Sequence, residues 1–182
     1  VGLYAREAEQ LNPGFVSRMT RSLPFIWVKS AASLDGKIAM ADGESQWITG
    51  PEARKDVQRL RGRCQAIVTG ADTVLVDNPR MTVRYQEAGI EVPEWLHVAQ
   101  PLRVVLDTRG RLPETGALFD EEGPILWITG RSIDHPQLRC GRIEQWVAPL
   151  TNDRVDLRAV MSELANRSIN EVLVESGPRL IG

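Results

Sequence analysis

Cysteine and histidine are scarce in this chain, with two of each among 182 residues. Cys64 and Cys140 stand far apart and fit no metal-ligand or redox spacing, so no disulfide is expected. His97 and His135 have no partner motif. Without a Ser-His-Asp order, an H-E-x-x-H or a cysteine cluster, hydrolytic and zinc chemistry find no support, and no metal is expected. No apolar run approaches the roughly 20 residues needed to span a bilayer. The first ten residues are mixed and acidic and lack a signal-peptide pattern. No excess of positive charge is present either: the formal net charge is −2, with 25% charged residues. That excludes the electrostatic footprint of a nucleic-acid or anionic-membrane binder. G-x-G-x-x-G and G-x-x-x-x-G-K-[ST] are both missing, which leaves a standard Rossmann site and a P-loop unsupported. An initiator Met is absent too, which suggests a piece of a longer polypeptide or a processed protein. The default compartment is the cytoplasm.

What is present fits one domain with an appendage. Apolar residues reach 42%, enough for a sizeable core. Residues 3–19 read as a short helical stretch broken at Asn12-Pro13-Gly14, with little core of its own. From residue 25 the pattern changes. Strand-like runs are expected at 25–34, 65–70, 102–108, 124–130, 142–148 and 170–176. Helices are expected after Thr49, from residue 71 to Asn78-Pro79, and over 152–167. Thr49 and Glu52 have the spacing of a capping box, and Ala53, Val57, Leu60 and Cys64 that of a buried stripe. Asn152 or Asp153 would cap the helix carrying Leu157, Val160, Met161 and Leu164. Residues 86–101 have no clear period and read as a loop. This alternation predicts an α/β fold with a mostly parallel sheet flanked by helices.

In such sheets ligands bind outside the carboxyl ends of the strands. The informative residues should therefore follow strands: Ser30–Gly36, Thr69–Thr73, Asp107-Thr108, Thr129-Gly130 and Glu175–Gly177. Gly177 and Pro178 fit an anion-holding strand-helix turn, and equally a plain connection. Arg61 and Arg84 suit a phosphate, and equally a solvated surface. Lys29 lies inside an apolar strand; desolvation there would lower its pKa and fit it for acid-base work, though strand lysines commonly face solvent. Asp77 and Glu175 end elements, where caps and surface charges also occur. Trp47 could stack on a flat ring or serve as a buried anchor.

Together these residues carry a resemblance. The strings S-L-D-G, G-E-S-Q-W-I-T, D-N-P-x-x-T-V-R and V-E-x-G-P, in this order across residues 22–182, resemble the reductase domain of the bifunctional riboflavin-biosynthesis deaminase/reductase. The resemblance implies a three-layer, dihydrofolate-reductase-like fold that would be incomplete at its C-terminus. Residues 1–21 look like the tail of a preceding deaminase domain and its linker; that domain's His-x-Glu and Pro-Cys-x-x-Cys signature is absent, so deamination is not expected of this chain. The implied reaction is NADPH-dependent reduction of the ribosyl group of 5-amino-6-(5-phosphoribosylamino)uracil to ribityl. Ala31, Trp47, Thr73, Asp77 and Thr108 would line the NADPH site. The turn Gly177, Pro178, Arg179, Leu180, Ile181 and Gly182 would meet its pyrophosphate. Ser45, Arg61, Met81, Arg84 and Glu175 would touch the phosphorylated ribosylaminopyrimidine substrate. Lys29, Asp77 and Glu175 would be the polar groups closest to the transferred hydride. Ala31 and Met81 stand where such relatives often carry Gly and Leu. A deaminase domain in the parent polypeptide and a homo-oligomer are the expected partners. A catalytically silent nucleotide-binding module is the alternative.

Overall fold

The computed structural model describes residues 2–41, 43–45 and 47–181. Its centre is a six-stranded, all-parallel sheet in the order β1-β8-β2-β3-β4-β5. The strands are β1 (Phe25–Lys29), β2 (Ala66–Gly70), β3 (Leu102–Leu106), β4 (Ile125–Thr129), β5 (Ile143–Val147) and β8 (Glu171–Glu175). The interior strands read as nearly continuous apolar runs because both their faces are covered, broken by the buried Arg103 in β3 and by the end glutamates of β8. All five residues of β4 are buried, whereas the outermost strand β1 alternates, with Ile26 and Val28 exposed.

Side chains on successive residues point to opposite faces. One face carries Ala66, Val68, Val104, Leu106, Leu126, Ile128, Val172 and Val174, and meets Val160 and Leu164 of α7 (Leu157–Asn166). The other carries Ile67, Val105, Ile125, Trp127 and Ile143, and meets α4 (Ala71–Asp77) and α6 (Ala117–Asp120). Helix, sheet, helix is the layering the alternation predicts. At the amino-terminal side, α1 (Ala5–Leu11) and α2 (Pro13–Arg21) meet at Pro13, the first position of α2. Arg18 of α2 donates to the Asn170 side chain at 2.6 Å, which docks α2 beside β8.

Three local expectations give way. Residues 150–155 form a hairpin, β6 (Leu150–Thr151) against β7 (Arg154–Val155). Asn152 and Asp153 both have positive φ, 51° and 57°, the geometry of a two-residue type I′ turn. They turn the hairpin, and Asp156 caps α7 instead, accepting from the Ala159 amide at 2.9 Å. The capping box does not form either. The helix α3 (Pro51–Arg63) starts at Pro51 with Gly50 as its cap and makes no side-chain cap bond. Arg54 reaches back to the Thr49 carbonyl at 2.8 Å and lies over the Trp47 ring at 4.5 Å. Finally, Ala53 is exposed, while Gln58 is the buried residue of α3. The inward face is set by Arg54, Gln58 and Arg61, at i, i+4 and i+7. These long side chains reach backbone groups of neighbouring loops, which an apolar periodicity does not register. The segment 85–88 adds one helical turn, α5 (Tyr85–Ala88), to the expected loop.

Candidate active site along the strand exits

All six strands run the same way, so their carboxyl ends share one edge of the sheet. Lys29 ends β1 and Glu175 ends β8, paired side by side in register. They share a face with α3. There Arg61 grips the Glu175 carboxylate with two parallel bonds, Nε to Oε1 at 2.6 Å and Nη2 to Oε2 at 2.9 Å. Its third arm, Nη1, donates to the Thr82 carbonyl at 3.0 Å. Both side chains are about 15% exposed or less, at 14% and 15%. A fork-to-carboxylate pair withdrawn this far from water is strong and orienting.

The loop that Arg61 touches is built by side chains. The Arg84 amide donates to Gln58 Oε1 at 3.0 Å, and the Val83 amide to Gln100 Oε1 at 2.7 Å. Gln100 returns a bond to the Val83 carbonyl at 3.2 Å. These side-chain amides satisfy backbone groups that no strand partner serves. Arg84 itself is half exposed and pairs with Glu87 at 3.2 Å. Met81 is buried in the core against α4, with φ at 55°. A non-glycine residue in the left-handed region holds about 1–3 kcal/mol of local strain.

One strand further in, the exits of β2 and β8 converge. Thr73 Oγ1 and Ser176 Oγ lie 3.3 Å apart. Gly70 is packed so that a Cβ would sit 3.4 Å from Ser176 Oγ. Asp77 lies one turn beyond Thr73 on α4 and is exposed, with no ion pair among the described residues. After Gly177 comes the single turn α8 (Pro178–Ile181). Leu180 and Ile181 pack against the core, and Arg179 pairs with Asp72 at 2.8 Å. Asp72 also accepts from Arg111 at 2.8 Å. The Arg111 and Arg179 guanidiniums hold its carboxyl below the ordinary aspartate value.

Thr108 follows β3. Its hydroxyl accepts from the Val155 amide at 3.2 Å and its carbonyl from the Gly130 amide at 3.0 Å, tying β3, β4 and the hairpin together. Ala31 is half-buried just past β1, and Ser45 is exposed. Trp47 is 70% exposed, which excludes the buried-anchor alternative. Gly182 lies outside the described residues.

The structure therefore gathers Lys29, Arg61 and Glu175 at one corner, with Thr82 closing the group, and Thr73 with Ser176 beside them. Ser45, Trp47, Asp77 and Arg84 stay on exposed ground around that line. Ser176, Thr82 and Asp72 were not singled out from sequence, although Ser176 and Asp72 lie within the strand-exit segments. Cys64, close behind Arg61, is inert: burial pushes its thiol up to about 12.

Comparison with known proteins matches this architecture. The model of the RibD C-terminal domain family covers residues 24–182. The riboflavin biosynthesis protein RibD of Escherichia coli is 39% identical over the whole chain, and that of Haemophilus influenzae is also 39% identical. The chain spans about half the length of these relatives, 50% and 49%. Among solved structures, Acinetobacter baumannii RibD superposes with a TM-score of 0.78 at 36% identity, over 95% of this chain and 45% of that one. A Thermotoga maritima protein, described as a diaminohydroxyphosphoribosylaminopyrimidine deaminase/5-amino-6-(5-phosphoribosylamino)uracil reductase, gives 0.76 at 29% identity, over 94% and 44%. The chain belongs to the RibD C-terminal reductase domain family of riboflavin biosynthesis.

Proposed function

We propose that this protein reduces the ribosyl group of 5-amino-6-(5-phosphoribosylamino)uracil to ribityl with NADPH. The observation that carries the reading is the Arg61–Glu175 fork at the exit of β8, beside Lys29 and one strand from the Thr73–Ser176 hydroxyl pair. The cofactor supplies the hydride when bound. This chain's residues do the positioning. Thr73, Ser176 and the open ground around Gly177, where a Cβ would meet nothing within 4 Å, fit a dinucleotide crossing the β2 and β8 exits. Arg61, with Arg84 on the adjoining loop, serves the sugar-phosphate. Glu175 keeps the Arg61 fork aimed along the edge, so substrate meets an already oriented cation. Lys29, in register with Glu175 and without an ion pair among the described residues, would deliver a proton to the opening sugar.

The joint naming of deaminase and reductase in the Thermotoga maritima relative supports a parent polypeptide in which residues 1–21 lead out of a deaminase domain. A cytoplasmic homo-oligomer completes the reading; among the described residues no helix is long and apolar enough to cross a membrane. The test is NADPH oxidation followed by absorbance, with the phosphoribosylaminouracil as substrate. Turnover that needs both components, and that falls at least about tenfold in kcat for Lys29→Met, supports the reading. Binding of both ligands without turnover overturns it in favour of a silent module.

A further inference from the structure

The segment between α4 and α5, residues 78–84, forms no helix or strand, yet Met81, Thr82 and Val83 in it are buried. A buried irregular segment must find partners for backbone groups that no ladder serves. Three side chains supply them. Arg61 Nη1 donates to the Thr82 carbonyl at 3.0 Å. Gln100 accepts from the Val83 amide at 2.7 Å and donates to the Val83 carbonyl at 3.2 Å. Gln58 Oε1 accepts from the Arg84 amide at 3.0 Å. Met81, at φ 55°, keeps its strained backbone because the residues after it are held at three successive positions.

Arg84 is where this buried run reaches the surface. Its guanidinium pairs with Glu87 at 3.2 Å, but both side chains are largely solvated, so that pair does little to aim it. The aim comes from the backbone, and Gln58 fixes the Arg84 amide. Gln58 is only 4% exposed and stands three residues before Arg61 on the same face of α3. One turn of helix therefore sets both cations. It carries Arg61 directly, and it holds Arg84 by way of the Gln58 bond. Gln100, two residues ahead of β3, braces the same loop from the sheet side.

We infer that Gln58 is a positioning residue that fixes the separation of Arg61 and Arg84, so that both guanidiniums meet one sugar-phosphate, with Gln100 as its brace. The inference rests on the proposed function. A glutamine that only filled space would cost stability when replaced and leave substrate recognition alone. Gln58 instead acts through Arg84, and its effect depends on the phosphate that Arg84 meets.

Steady-state kinetics on the purified protein test it, with melting temperature measured alongside. Gln58→Met removes the acceptor at nearly constant length, and Gln58→Glu keeps one. The methionine variant should raise KM for the phosphoribosylaminouracil about tenfold, with kcat and the KM for NADPH within about twofold of wild type. The glutamate variant should recover most of that loss. In an Arg84→Gln background, Gln58→Met should add nothing further, because the two act as one unit. Hydrogen exchange at the Arg84 amide should quicken in the methionine variant and not in the glutamate one. Should Gln58→Met fail to fold, Gln100→Met, at a half-buried position, carries the same test with the same expected rise in KM. A KM that stays put while melting temperature falls, or a rise that is equally large in the Arg84→Gln background, overturns the positioning role and leaves the proposed function standing. If the wild type shows no turnover, calorimetry with ribose 5-phosphate separates the two ideas. Binding that Arg84→Gln and Gln58→Met weaken non-additively means that the proposed function fails and the positioning role survives. Binding indifferent to both variants overturns the positioning role as well.

Discussion

Two corners of one sheet edge handle arginine in opposite ways. At β1, β8 and α3, Arg61 is held by the protein itself: each nitrogen of its guanidinium makes one bond, to Glu175 or to the Thr82 carbonyl, which leaves one N–H on each Nη for a ligand. At β3 and β4, Arg109 and Arg131 have no partner among the described residues, while the carbonyls and amides beneath them are pinned. The lesson is that orientation and charge can be supplied separately. The first corner holds a cation in place with a counter-charge, which leaves it weakly attractive but well aimed. The second holds the backbone in place and leaves the cations with their full field.

The comparison breaks most visibly at the first corner. Removing one member of a largely dehydrated pair strands the other, so Glu175→Ala and Arg61→Ala should each cost about 2–3 kcal/mol in urea unfolding. The double variant should cost little more than either single, a coupling of about 2 kcal/mol. Additive losses would mean that the fork is a surface contact and does not organise the corner. A smaller effect sharpens the second corner. Asp107→Asn removes a charged acceptor shared by three N–H donors and should cost about 1–2 kcal/mol. No measurable loss would mean that the turn after β3 does not depend on this carboxylate.

The sheet was legible in the sequence because its interior strands are mostly apolar, and the strand exits marked there share one edge of the sheet. What failed shares one cause. Asn152-Asp153 looked like a helix cap, yet both residues also tolerate positive φ, and the hairpin used that property. The stripe expected on α3 holds at Cys64, which is buried, and at Val57 and Leu60, which are half-buried, but not at Ala53, which is exposed. Gln58 and Arg61 join the inward face because their polar ends found carbonyl, amide and carboxylate partners distant in sequence. Arg109 and Arg131 stood next to segments already marked as strand exits. Only the structure brings their loops to one cavity, where neither guanidinium has a partner among the described residues.

A crystal structure of the protein with NADPH and the phosphoribosylaminouracil tests the central claim directly. The account predicts a dinucleotide lying across the strand exits, its nicotinamide beside Lys29 and Glu175. A cofactor bound with its adenosine end at the Arg61 corner, or away from this sheet edge, would contradict it.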